Sequence, residues 1–102
     1  MHVKLSRQAA EFIGSQPPEP RRRLRQALKN LSQGKGDLQA LTEPLQGYHR
    51  CRVGSYRIVF RYEAGQFIYV PLIEQRLVVY QVLAELLKAQ LGGSRSDWDA
   101  NP

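Results

Sequence analysis

The stretch GYHRCRVGSYRIVFRYEAGQFIYVPLI, Gly47 to Ile73, decides the fold. Its apolar residues recur at every second position and are mostly β-branched or aromatic, the pattern of half-buried strands. It divides into three strands, Tyr48–Val53, Tyr56–Glu63 and Gln66–Ile73. Gly54-Ser55 suits a type II′ hairpin turn, and Ala64-Gly65 forms the second connection. Two-residue loops dictate the register. Val53 then faces Tyr56, Arg52 faces Arg57, Cys51 faces Ile58, Arg50 faces Val59, and Tyr48 faces Arg61. Across the second turn Tyr62 faces Phe67, Arg61 faces Ile68, Phe60 faces Tyr69, Val59 faces Val70, and Arg57 faces Leu72.

Side chains alternate across a strand, so this register sorts them into two faces. His49, Cys51, Val53, Tyr56, Ile58, Phe60, Tyr62, Phe67, Tyr69 and Ile73 form an apolar face that needs a cover. Tyr48, Arg50, Arg52, Arg57, Val59, Arg61, Ile68, Val70 and Leu72 form the other, and the extended chain continues to Glu74 and Arg76 on that side. Arg52 opposite Arg57 is a like-charge cross-strand pair, which destabilises. One reading is a solvated face with its cations balanced by Glu43, Glu63 and Glu74. The other is an anion-binding platform, in which guanidinium groups beside an aromatic ring suit phosphates and stacked bases.

Working outward, His2–Leu5 reads as a strand and Ser6 as a helix N-cap, with Ala9, Phe12 and Ile13 at helical spacing. Gly14-Ser15 and Pro17-Pro18 end that helix. Pro20 opens another at N1 after Glu19, with Leu24, Ala27, Leu28 and Leu31 on one face and Arg21, Arg22, Arg23, Arg25 and Lys29 mostly elsewhere. Gly34 and Gly36 stop it. This αα-hairpin supplies the cover for the apolar sheet face. Asp37–Gln46 reads as an irregular connection. Leu77–Leu91 reads as a helix with a wide apolar face, Val79, Val82 and Leu86 lying beyond the stripe of Leu83, Leu87 and Leu91. Such a face fits either a partner's surface or a core helix packed on two sides. The fold class is α+β, with one domain over 1–91 and a polar tail over 92–102 that contains Trp98.

Composition bounds the function. The chain has 102 residues, 42% hydrophobic and 24% charged, enough for a single modest core. Its net charge is +6, and eleven of the fifteen cations are Arg, the residue suited to bidentate phosphate contacts. One cysteine, Cys51, forms no disulfide framework, and with two distant histidines it makes no metal-ligand set. No cofactor is expected. No apolar run approaches the roughly 18–20 residues of a membrane span, and no signal peptide is read at the start, so a cytoplasmic protein is expected.

The motif L-x-G-x-x-R-x-R-V-G-x-Y-R-I-V-[FY] over Leu45–Phe60, followed by R-x-x-V-Y over Arg76–Tyr80, resembles the RelE/ParE superfamily of bacterial toxins. The element order β-α-α-β-β-β-α agrees with that family over about residues 2 to 90. The resemblance implies a toxin paired with a neutralising antitoxin, and a cytoplasmic bacterial or archaeal setting. RelE-like members cleave messenger RNA on the ribosome, whereas ParE-like members poison DNA gyrase. Carried over by motif, Arg57, Arg76 and Tyr80 are the catalytic positions. Arg50 and Arg52 match the paired cations of the second strand and, with Arg61 and Tyr48 on the same face, are expected to contact RNA.

The implied chemistry is metal-independent attack of the RNA's own 2′-hydroxyl on the adjacent phosphate. It needs a base, cations for the developing charge and an acid for the leaving oxygen. Arg57 and Arg76 can meet the charge, Arg50 and Arg52 the backbone, and Tyr80 the nucleotide or a proton. The strand pair is Arg-Arg, which stays protonated and supplies no base. Gln75 stands where the family often has His, His49 is expected to face the core, and Glu74, the nearest carboxylate on this side, is read either as the base or as a salt-bridge partner of Arg76 or Arg57. Three readings follow: a ribosome-dependent messenger RNA endonuclease, a gyrase-directed toxin, or a non-catalytic member that binds only its antitoxin or RNA. Self-association without the antitoxin is left open.

Overall fold

The computed structural model describes residues 1–43 and 45–91. Strand β1 (His2–Leu5) leads into helices α1 (Arg7–Ser15) and α2 (Pro18–Ser32). Strands β2 (Asp37–Ala40), β3 (His49–Val53), β4 (Tyr56–Glu63) and β5 (Phe67–Gln75) follow, then helix α3 (Arg76–Leu91). The fold is α+β, as expected. Residues 92–102, with Trp98, lie outside the described residues, as do Pro44 and the side chains of Leu86, Leu87 and Leu91. Among the described residues no helix is long and apolar enough to cross a membrane.

Local chemistry sets the helix ends. The Ser6 hydroxyl accepts the Ala9 N–H at 3.1 Å, the N-cap bond that satisfies an orphan donor of α1. Helix α2 starts at Pro18, two residues before the expected Pro20. Prolines are tolerated in this first turn because its N–H groups have no intrahelical acceptor. Gly34 closes α2 at φ 74°, where its N–H reaches Leu31 O at 2.9 Å and Lys35 N–H reaches Asn30 O at 2.9 Å. That is a Schellman ending, which favours glycine.

The five strands lie in the order β1-β5-β4-β3-β2, with β1 parallel to β5 and the other pairs antiparallel. Helices α1 and α2 bury Ala9, Ile13, Leu24 and Leu31 against one sheet face, where Cys51, Tyr56, Ile58, Phe60, Ile68, Val70 and Ile73 meet them. Each fully buried large side chain here, Phe60 and Leu24 among them, contributes about 1.5–3 kcal/mol over its exposed state.

Two expectations are corrected. Asp37–Gln46 is not wholly irregular, since Asp37–Ala40 forms β2 on the sheet edge, paired with Arg52–His49. The first hairpin has the expected register from Val53↔Tyr56 to Arg50↔Val59, but the second does not. Its loop uses three residues, Gly65 and Gln66 both taking positive φ, so Glu63 rather than Tyr62 faces Phe67. A bulge follows, because Phe60 alone lies between pairs Val59↔Leu72 and Arg61↔Tyr69, opposite both Val70 and Pro71. Pro71 has no N–H to donate and is accommodated inside the sheet at this bulge. Consequently Ile68 and Val70 are core residues, while Phe67 and Tyr69 turn to the arginine face, the reverse of the expected assignment. Beyond the bulge, Leu72 and Glu74 lie on the arginine face as expected.

Helix α3 packs on that second face. Val79, 2% exposed, and Val59, 3% exposed, line one cavity there. Of the two readings of α3, core packing holds at Val79, whereas Leu77 is 70% exposed.

Candidate functional site

The residues away from α1 and α2 form a grid set by strand register. Tyr48 precedes β3, which contributes Arg50 and Arg52; β4 contributes Arg57, Val59 and Arg61, and β5 brings Glu74 opposite Arg57. Helix α3 crosses one end of the grid and leaves a cleft of about 190 Å³, lined by Gln39, Leu41, Arg50, Arg57, Val59, Val79, Tyr80 and Leu83.

Arg57 lies deepest in this cleft. It is 7% exposed, and its Nη1 donates to the carbonyls of Gly54 and Tyr56, each at 2.9 Å. Its Nε is buried with no partner, and no carboxylate pairs with it among the described residues. Glu74, its register partner, instead accepts from Gln8 Nε2 at 3.3 Å and from the Gln75 N–H at 3.4 Å. The expected pairing of Glu74 with Arg57 or Arg76 is therefore absent. Tyr80 stands at the cleft mouth, 49% exposed. Hydrogen bonding to Arg57 is the largest influence on its phenol, with the charges of Arg57 and Arg76 adding to it. Together they hold it below the ordinary tyrosine value. Arg76 opens α3, where its N–H donates to Ser55 O at 2.8 Å and anchors the helix start to the Gly54-Ser55 turn.

The remaining cations are engaged. Arg52 donates from Nε to Asp37 Oδ2 at 2.6 Å, and its Nη2 lies 2.6 Å from the same oxygen in an ion pair. Arg50 reaches Asp37 Oδ1 at 3.5 Å and donates to Gln39 Oε1. Asp37 thus relieves the like-charge pair of Arg52 and Arg57 from the Arg52 side. Farther along the sheet, Arg61 pairs with Glu63, donates to the Tyr48 hydroxyl at 2.8 Å, and lies 5.6 and 5.1 Å from the ring centres of Tyr48 and Tyr69.

Solved structures similar to this chain include toxins and toxin–antitoxin complexes. The toxin–antitoxin complex RelBE2 from Mycobacterium tuberculosis aligns with a TM-score of 0.64 at 20% identity, over 74% of this chain and 96% of that one. The RelB–RelE complex from Methanococcus jannaschii aligns with a TM-score of 0.61 at 19% identity, over 76% and 95%. The YoeB/ParE toxin from Agrobacterium tumefaciens aligns with a TM-score of 0.62 at 19% identity, over 74% and 98%. The chain has the RelE/ParE-like toxin fold. No protein-family model and no curated protein matches its sequence.

Within this RelE-like fold the expected site residues divide. Arg50, Arg57 and Tyr80 line one cleft, and Arg76 acts on Tyr80 from its edge. Arg52 turns to Asp37 at the sheet edge, while Arg61 and Tyr48 form a separate cluster. His49 lies on the helix-covered face, stacked on Phe60 at 5.3 Å and edge-on to Tyr62 at 5.0 Å, and takes no part in the cleft. Cys51 is buried, and burial, then the Asp37 charge, pushes its thiol above the usual value, so it is a core residue. Asp37, Gln39 and Leu41 were not foreseen as cleft neighbours, because their place depends on β2, which lacks a clear alternation. Among the described residues no cluster of three or more His, Cys, Asp or Glu side chains could hold a metal ion.

Proposed function

We propose that this chain is the toxin of a toxin–antitoxin pair and a metal-independent endoribonuclease acting on messenger RNA held by the ribosome. The observation that carries the reading is the buried Arg57 guanidinium, left without a carboxylate and facing a cleft beside a tyrosine of lowered pKa. A permanent cation fixed in a sheltered cleft suits charge that develops on a phosphate. In the proposed step the 2′-oxygen forms a bond to phosphorus as the bond to the 5′-oxygen breaks. The products are a 2′,3′-cyclic phosphate and a 5′-hydroxyl. Arg57 stabilises the phosphorane-like charge, Arg76 assists from the helix start, and Arg50 positions the backbone. Tyr80 takes the 2′-hydroxyl proton in its phenolate form, which the neighbouring Arg57 and Arg76 charges favour, and the 5′-oxygen takes a proton from solvent water at the open mouth of the cleft. Arg52, Arg61 and Tyr48 extend the contact with RNA. The antitoxin is the protein partner, a reading supported by the toxin–antitoxin complexes among the structural neighbours.

The second reading is a gyrase-directed toxin with no chemistry of its own. The absence of a carboxylate or histidine among the described residues of the cleft lining favours it. One experiment separates the two. Induction in bacteria is expected to arrest translation, with new RNA ends mapping inside ribosome-occupied codons, and Arg57→Ala to relieve the arrest. Intact messenger RNA with accumulating double-strand DNA breaks would instead select the gyrase reading. Intact RNA and DNA with unimpaired growth would identify a non-catalytic member.

A further inference from the structure

Beyond the cleft, the bulge at Pro71 builds a feature that no strand pattern anticipated. It turns Phe67 and Tyr69 onto the arginine face, next to residues already there. One row runs across the sheet: Tyr48 just before β3, Arg61 on β4, Tyr69 opposite it on β5, and Lys4 opposite Tyr69 on β1. Phe67 lies one step along β5, with Lys4 Nζ 5.4 Å from its ring centre. Aromatic rings and cations therefore alternate across the sheet. Lys4, Arg61, Tyr69 and Phe67 line an open groove of about 370 Å³. The row follows Arg50 and Val59 by a single two-residue step, about 7 Å along the strands, so it continues the cleft that holds Arg57.

We propose that this row is a stacking platform for a single strand of RNA, which seats the nucleotides flanking the one whose phosphate lies at Arg57. The inference rests on the RNA reading above and deepens it. Arg61 is held still by its bonds to Glu63 and to the Tyr48 hydroxyl, so little side-chain freedom is lost on binding. Lys4 is exposed and makes no ion pair among the described residues, which leaves it free for a phosphate. Half-buried aromatic rings interleaved with cations on a sheet suit unpaired bases and their backbone. A duplex, whose bases are already stacked, has nothing to offer the rings. The occupant is therefore single-stranded RNA rather than a duplex or a peptide.

The test is fluorescence anisotropy with a labelled single-stranded oligoribonucleotide, the same oligomer made abasic, and a duplex of equal backbone charge. Tyr69→Leu and Phe67→Leu keep apolar volume but remove the rings. Each is expected to weaken the intact single strand about five-fold or more and to leave the abasic strand unchanged. Thermal unfolding checks that these variants fold. Lys4→Gln, at an exposed position, gives an independent reading, because it is expected to reduce the slope of log affinity against log salt by about 0.7. Wild-type protein that binds the intact and abasic strands equally overturns the platform. So do ring variants that bind like wild type while Arg57→Ala loses affinity, and in that case the RNA reading survives. Failure of the wild type to bind any single strand also overturns the platform. Only intact RNA in induced cells overturns the endonuclease reading itself.

Discussion

Taking a guanidinium out of water costs several kcal/mol unless partners replace the lost solvation. Arg57 has two carbonyl acceptors for Nη1, none for Nε, and no carboxylate. Packing alone would favour an apolar side chain at this position, flanked as it is by Val59 and Val79. Arg57→Leu is therefore expected to leave stability unchanged or to raise it by up to about 2 kcal/mol, while abolishing cleavage. Urea unfolding beside an RNA-cleavage assay checks both halves. A loss of stability of about 2 kcal/mol or more would instead make Arg57 a structural residue. Nothing in YRIVFR distinguishes Arg57 from Arg61, yet one is buried unpaired and the other half-exposed and paired with Glu63. The sequence shows that both lie on one face. It does not show that α3 covers only one of them.

At Ser6 the first helix is tied to the sheet. Its hydroxyl caps α1 and donates to the Pro71 carbonyl at 2.8 Å, while its N–H donates to Val70 O at 2.9 Å. One residue therefore ties the first helix to both residues of the bulge, its side chain to Pro71 and its backbone N–H to Val70. Ser6→Ala is expected to destabilise the fold by about 1–2 kcal/mol. Ser15→Ala, which removes only exposed bonds to Phe12 O and from Gln16 Nε2, should cost much less. Denaturant midpoints of the two variants decide it, and equal losses would refute the tie. Legibility also divides by element. The Gly54-Ser55 hairpin was readable because a two-residue turn leaves one register. The second hairpin was not, because Gln66 adopts φ 62° and no residue type announces that. Pro71 inside an otherwise central strand was the available sign of a bulge, and it explains why half of β5 reads inside out. Asp37–Ala40, DLQA, is too short and polar to read as a strand without its partner.

Charge is unevenly spread over the whole molecule. Helix α2 alone carries Arg21, Arg22, Arg23, Arg25 and Lys29 against a single carboxylate, Glu19, which pairs with Arg22. The opposite face carries Asp37, Glu63 and Glu74 among its cations, so much of the surplus of +6 sits behind the sheet rather than at the cleft. At physiological salt, charges separated by more than about 8 Å are largely screened. The double variant Arg21→Glu and Arg25→Glu is therefore expected to bind a short single-stranded oligonucleotide within about two-fold of wild type. A larger loss in a salt titration would mean that nucleic acid wraps around to α2.

The parallel pairing of β1 with β5 also governs how the chain reaches this state. Ser6 and Pro71 are 65 residues apart, and the αα-hairpin between them packs on a sheet whose central strand comes late in the chain. Closing so long a loop precedes any reward from the contacts it brings together, which makes this topology of high contact order slow to form. During synthesis, β1, α1 and α2 leave the ribosome before their central partner exists. Arg57 and Tyr80 therefore come together only when almost all of the described chain has been made. A nascent chain that has not yet reached α3 therefore has no finished cleft.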